Sequence, residues 1–476
     1  MELSTGLVEW VESTIGGKVV AVERQGRWRP HFFVAVQRPD GEVVSALARF
    51  PRDPELIADR AFLTKFDIGH EARVLNALQG LGFPVARYYG FHEGEQVILQ
   101  GRVAGTNDIS GLDDETRSRV LREYIGYLHA LHSLPVDPAR LPGVFVPKTA
   151  EEVAFAEFQY MEQDFRAAMT SLRPEPLLEF ALWWLHANVP DNTEPRWLQG
   201  DTGPGQFMVH EGKITALIDW ELSHLGDPIG DLGVMRMRNL LYPVGSGLGE
   251  YIEYYGQLAG RPVDRDVLCY YTVMHMLLSP IGMADTIQYP DAGVGTMLPR
   301  FGWNVTLRRG LVEALCEAYG VDVAPPPLPG PSEAPRTDLP GFLVAHLEQQ
   351  CLPIAHDDYE SYLLRGALGV ASSVALTARA GAALEADDVA DLARVLGTPV
   401  TDREAGLAAV NELVRQDPAG HALNLLWLFS RMERRQDYLW APMMIAQKSF
   451  PYERLYPAER VITPQGLPES VRQRPP

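Results

Sequence analysis

The sequence predicts an α+β protein, strand-rich at its start and largely helical after it. Three observations predict this. Residues 18–50 are β-branched and aromatic runs broken by a turn signal, apolar residues recur at helical spacing from about residue 112, and residues 196–221 interrupt that spacing with short strand-like pieces.

Taken in order, KVVAVERQ, HFFVAVQRPDG and EVVSALARF read as three strands, with Pro39-Asp40-Gly41 as a hairpin turn. HEARVLNALQGLGF places apolar residues at 72, 74, 75, 78 and 81, a helical face that Gly80, Gly82 and Pro84 bring to an end. VARYYGFHEGEQVILQGRV returns to strand on either side of His92-Glu93-Gly94. Asp113 and Asp114 then open a helix to His132, with Val120, Leu121, Tyr124, Ile125, Leu128 and Leu131 on one face. Further helices are expected near 151–168 and 176–188. RWLQGDTGPGQFMVHEGKITALIDWE reads as strand, glycine-rich loop, strand, turn at Glu211-Gly212 and strand, and helices resume near 231, 248 and 264. Residues 321–341 hold seven prolines without periodicity, the mark of a semi-rigid linker. Residues 342–446 are again helical, and the Pro-rich tail from about 457 is expected to be loosely held.

Composition narrows the function. The chain carries 62 acidic against 42 basic residues, a formal net charge of −20, so phosphate backbones and anionic membranes are disfavoured as partners. Cys269, Cys316 and Cys351 are far apart and form no CxxC pair, which suits a reducing compartment. The N-terminus lacks a basic, then apolar, leader pattern, and apolar stretches read as interrupted before the ~20 residues a membrane span needs. The expectation is a cytoplasmic protein with no nucleic-acid or membrane partner.

Two segments carry groups suited to phosphoryl transfer, which needs positioning, charge neutralisation and a carboxylate facing the attacking hydroxyl. Gln199-Gly200-Asp201-Thr202-Gly203-Pro204-Gly205-Gln206 supplies a carboxylate and, five residues on, an amide. Ile218-Asp219-Trp220-Glu221 supplies a second carboxylate at the end of an apolar strand, and a hairpin between the segments brings Asp201, Gln206 and Asp219 to one mouth.

These segments resemble the aminoglycoside phosphotransferase and choline kinase superfamily, whose pattern is H-G-D-x-x-x-x-N, a strand hairpin and an Asp, followed by W-E…G-D-P…D-L. Here it reads QGDTGPGQ and then LIDWELSHLGDPIGDLG, with a weaker likeness over about residues 15–320. The resemblance implies a bilobal protein-kinase-like fold: an N-lobe of antiparallel sheet and one helix (1–103), a largely helical C-lobe (104–320), the linker (321–341) and a helical C-terminal region (342–476). It implies ATP and Mg²⁺ as cofactors, Asp201 as catalytic base, and Gln206 and Asp219 as metal ligands. Arg49 would contact phosphates, Glu71 would hold Arg49, backbone at Gln100, Gly101 and Arg102 would receive adenine, and Asp231 would buttress the catalytic loop or merely cap its helix.

Two departures stand out. Gln199 replaces a supporting histidine, and Gln206 replaces an asparagine, adding one methylene at a position where Mg²⁺ geometry is strict. Either the backbone draws back or that metal site is weak. In the loop after the first strand, Arg27, Trp28 and Arg29 either cover the phosphates or form a solvated hairpin.

DWELSHLGDP is most similar to the kinase domain attached to some acyl-CoA dehydrogenases. The function implied is an ATP-dependent phosphotransferase acting on a small-molecule hydroxyl, with a hydroxyacyl thioester or similar metabolic alcohol preferred over an aminoglycoside. A catalytically weak nucleotide-binding scaffold is the other class. Residues 342–446 are open to capping the acceptor cleft, forming a homodimer or recognising a carrier. His129 and His132 read as packing, Gly245–Gly249 as a loop, Asp227 as a turn residue or loop contact, and Trp183-Trp184 as core.

Overall fold

The computed structural model describes residues 3–25, 29–51, 60–137, 139–141, 143–169, 171–245, 247–288, 299–330, 338–444 and 449–463. Gly26, Arg27 and Trp28 of the loop expected either to cover the phosphates or to form a solvated hairpin, part of the Pro-rich segment (331–337) and the end of the tail (464–476) lie outside the described residues. The chain forms two compact units: Met1–Asp164 with Asp191–Val263 and Asp357–Glu360, and Phe165–Pro190 with Asp264–His356 and Ser361–Pro476.

The first unit begins with a helix the sequence reading had passed over, α1 (Thr5–Ile15). Its signals were present: Ser4 caps it by accepting from the Leu7 amide, Gly16 closes it in the left-handed region, and Leu7, Val11 and Ile15 recur at i, i+4. Those three pack on an antiparallel sheet of β1 (Lys18–Arg24), β2 (His31–Gln37), β3 (Val43–Arg49), β4 (Tyr88–His92) and β5 (Val97–Gly101), against Phe32, Val34, Val36, Ala46 and Leu99. The sheet order is β1-β2-β3-β5-β4, with the short α2 (Ala61–Lys65) and α3 (Ile68–Leu78) between β3 and β4. The expected α+β arrangement, an N-terminal antiparallel sheet followed by a largely helical remainder, is the one observed.

After the sheet comes α4 (Asp114–His132), N-capped by Asp113, and it buries the six apolar residues expected of it together with His132. α5 (Ala150–Phe155) and α6 (Phe158–Ala168) follow. The non-helical interruption is β6 (Arg196–Leu198), the hairpin β7 (Phe207–His210) and β8 (Lys213–Leu217), a 3-10 turn (Trp220–Leu222) and β9 (His224–Gly226), which pairs with β6. Two helices then follow, α8 (Ile229–Arg238) and α9 (Leu248–Ala259).

The second unit is mainly helical, built from α7 (Pro176–Ala187), the pair Arg265–Gln288 and Pro299–Ala318, and the C-terminal helices Arg403–Gln416 and Ala422–Trp440. Trp427 is fully buried, and Arg435 is tied to Asp388 and Asp391 at 2.8 and 2.6 Å. Val321–Val323 pairs in parallel with Arg460–Ile462, so the start of the Pro-rich stretch and residues 460–462 of the tail are held in a two-stranded sheet. Contrary to the hydropathy expectation, Arg265–Ala284 and Asp358–Leu396 are long and apolar enough to cross a membrane; 83% of the first apolar window is buried as a core helix, and 33% of the second.

Candidate active site

Everything that matters here lies in the first unit. The β7–β8 hairpin returns the chain so that the Ile218 amide donates to the Gln206 carbonyl at 2.9 Å. That single bond sets the Gln199–Gln206 loop beside the Ile218–Glu221 segment.

The loop rests on one buried carboxylate. Asp231, in the first turn of α8, accepts from the Gln199 and Gly200 amides at 3.0 and 2.9 Å and from His132 Nε2 at 2.9 Å. His132 in turn accepts from the Tyr255 hydroxyl at 2.8 Å. Asp231 therefore meets the loop from below, and His132 supports it; among the described residues no cluster of three or more His, Cys, Asp or Glu is arranged to hold a metal. Gly200 has φ +86°, and a Cβ there would stand 2.0 Å from the Leu222 carbonyl oxygen, so only glycine fits.

Gln199, where the family pattern has a histidine, ties the loop to its surroundings. Its amide accepts from the Tyr124 hydroxyl at 2.8 Å and donates to the Ile218 carbonyl at 2.9 Å, linking both segments. Tyr124 also accepts from the Gly203 amide at 3.0 Å. Asp227 is a turn residue, bonded to Asn192 and to the Ile229 amide.

Around this frame the charged groups converge. Arg49, at the end of β3, reaches Asp219 at 2.6 Å, Glu221 at 3.1 Å and Glu71 of α3 at 2.9 Å, the last an ion pair without hydrogen-bond alignment. Arg29 joins them through Glu221 and, at 3.8 Å, Glu71. Burial pushes the Glu71 carboxyl up to about 7, against the pull of the two guanidiniums. His70, the neighbouring residue on α3, bonds the Ser223 carbonyl at 2.7 Å, and burial lowers it to about 4, so it stays neutral. Asp219 adopts φ +63°, a left-handed conformation uncommon outside glycine that Asp tolerates better than most residues.

Asp201 lies on the same mouth, with both oxygens engaged. Arg238, the last residue of α8, reaches them at 2.9 and 3.2 Å, and the Gln206 amide nitrogen donates to one of them. Burial pushes Asp201 up to about 6 while Arg238 pulls it down. The cleft thus holds four carboxylates (Glu71, Asp201, Asp219, Glu221) against three guanidiniums (Arg29, Arg49, Arg238).

Of the residues the sequence singled out, Asp201, Gln206, Asp219, Arg49 and Glu71 are brought together. Gln100, Gly101 and Arg102 form the end of β5 and the residue after it, but the Gly101 and Arg102 amides donate to the Arg87 and Ser45 carbonyls at 2.7 and 3.0 Å. Those two donors are satisfied within the sheet. Sequence reasoning missed Arg238 and Tyr124 as site residues; Tyr124 appeared only as a helix-face residue, and nothing about Arg238 distinguishes it from a basic helix end.

Residues 36–267 match the model of the phosphotransferase enzyme family. The human acyl-CoA dehydrogenase family member 11 is 28% identical over 177 residues, covering 35% of this chain and 22% of that protein. The mouse family member 10 is 25% identical over 181 residues, 35% of this chain and 16% of that protein. The chain thus spans about a fifth of the length of the curated relatives it matches. Among solved structures, the macrolide 2'-phosphotransferase MphH from Brachybacterium faecium aligns with a TM-score of 0.43 at 20% identity, over 61% of this chain and 94% of that one. The choline kinase LicA from Streptococcus pneumoniae gives 0.42 at 15% identity, over 65% and 99%.

The frame can be tested at Tyr124. Tyr124→Phe leaves the buried Gly203 amide and the Gln199 oxygen each short of a partner, so it should destabilise the protein by about 1–3 kcal/mol in urea unfolding. A loss below about 0.5 kcal/mol would show that the phenol does not hold the loop.

Proposed function

We propose that this protein is an ATP- and Mg²⁺-dependent small-molecule kinase that transfers the γ-phosphoryl group to an acceptor hydroxyl. The observation that carries this is the convergence of Asp201, Gln206 and Asp219 on one mouth, beside an Arg49–Glu71 pair. Arg49 holds nucleotide phosphates, and Glu71 fixes Arg49 by sharing its charge. Asp201 orients the acceptor hydroxyl and accepts its proton.

The donor set fits a hard cation. Asp219 offers a partly exposed carboxylate and Gln206 an amide oxygen, and Mg²⁺ is usually held by one or two such groups together with substrate phosphates. Bound there, the metal would neutralise charge on the transferring phosphoryl group. The excess of carboxylates over guanidiniums supports a nucleotide that arrives with its cation.

For the acceptor, likeness to the acyl-CoA dehydrogenase family members supports a metabolic alcohol such as a hydroxyacyl thioester over an aminoglycoside. One observation favours a nucleotide-binding scaffold instead: both oxygens of Asp201 are already engaged. Two results separate these. Asp201→Asn should lower acceptor-dependent ATP turnover by about 10²- to 10⁴-fold, about 3–5 kcal/mol, with ATP affinity little changed; an effect under about tenfold sinks the base assignment. Because Asp201 must be ionised to act and burial holds it near 6, kcat/KM should rise about tenfold per pH unit below that value and level off above it. A flat profile from pH 5 to 8 would contradict the assignment.

A further inference from the structure

Among the described residues Arg238 is the one guanidinium in the cleft that pairs with Asp201, while Arg29 and Arg49 pair with Glu71, Glu221 and, for Arg49, Asp219. Its surroundings are shaped to keep it there. Nε and Nη2 each donate to the Pro204 carbonyl at 3.3 Å, and the guanidinium lies 5.3 Å from the centre of the Tyr242 ring. The loop is bare of side chains where Arg238 passes: a Cβ on Gly205 would fall 2.9 Å from Nη2, and one on Gly203 3.3 Å from the Arg238 Cβ. The side chain is only 13% exposed.

This pairing creates a problem for a base. An acceptor hydroxyl must take the place of a partner on Asp201, and the Gln206 amide and a single Arg238 nitrogen, Nη1, shared between both oxygens, already cover the carboxylate. Moving Arg238 aside leaves a buried cation without its counter-charge, which is strongly unfavourable. A neutral polyol offers no replacement, and a polycationic acceptor adds repulsion. An acceptor carrying its own carboxylate or phosphate removes the difficulty, because guanidinium and anion pair in a fork–fork geometry that suits either group.

We propose that Arg238 is an acceptor-binding residue, and that the acceptor carries a carboxylate or phosphate a few carbons from the hydroxyl it donates, which narrows the metabolic alcohols considered above to free hydroxy acids or phosphorylated alcohols in place of the thioester. This rests on the assignment of Asp201 as the base. Acceptor capture and base release then become one exchange: the acceptor anion takes Arg238, Asp201 loses that partner, and the hydroxyl beside the anion meets the freed oxygen.

The test is calorimetric titration of the full-length protein, loaded with Mg²⁺ and a non-hydrolysable ATP analogue. The probes are matched pairs: 3-hydroxybutyrate with its methyl ester, glycerate with its methyl ester, and glycerol phosphate with glycerol. The wild type should prefer the charged member of at least one pair by roughly 10- to 100-fold, and the pair that responds says whether a carboxylate or a phosphate is read. Arg238→Gln should abolish that preference, and Arg238→Lys should keep part of it, with thermal unfolding confirming that each variant is folded. Should the glutamine variant not fold, Arg238→Lys carries the attribution, because its preference should fall clearly below that of the wild type and an undiminished one would overturn the proposal. No preference in any pair, or a preference that survives in folded Arg238→Gln, overturns the proposal. Charged preference without phosphoryl transfer from ATP would remove the kinase assignment while leaving Arg238 as an anion anchor. Transfer to neutral acceptors with equal efficiency would do the reverse.

Discussion

A guanidinium buried without carboxylates around it costs a fold about 3–5 kcal/mol, and Arg49 meets that condition by gripping three at once. Glu71 comes from a helix, Asp219 and Glu221 from the segment after a hairpin, and Arg49 itself from the end of a strand. One side chain therefore fixes sheet, helix and loop relative to each other within the first unit. His70 adds a neutral hydrogen bond from the same helix to Ser223, so the position of α3 does not depend on charge alone.

The second anchor is Asp231, whose carboxylate takes two loop amides and a histidine. The two anchors divide the labour. Asp231 and Tyr124 fix the backbone that presents Asp201, while Arg49 and Glu71 fix the side chains that face Asp219. Between them four carboxylates are gathered at one mouth and offset in part by three guanidiniums.

Much of this was legible in the sequence. The helical face of 114–132, the three strands followed by the helix of 68–78 and two more strands, and the turn at Glu211-Gly212 follow from periodicity and turn chemistry, because each is decided by local patterns, whereas α1 and the short α2 were missed. Asp201, Gln206 and Asp219 were found together because a hairpin of fixed length returns one to the others. Arg238 was not legible, since its partner lies 37 residues away and only the end of α8 brings them together. The satisfied Gly101 and Arg102 amides were equally hidden, as sheet pairing decides where a free donor remains. The extra methylene of Gln206 also finds a use that spacing did not reveal: its amide reaches Asp201.

The most direct test of the central claim is ³¹P spectroscopy of the wild-type protein with ATP, Mg²⁺ and a panel of hydroxylated acids, alcohols and hydroxyacyl thioesters. The account predicts a new phosphomonoester signal that appears with ADP, requires Mg²⁺ and depends on one class of acceptor. ATP that binds and remains unchanged with every acceptor, or is released only as inorganic phosphate, would contradict it.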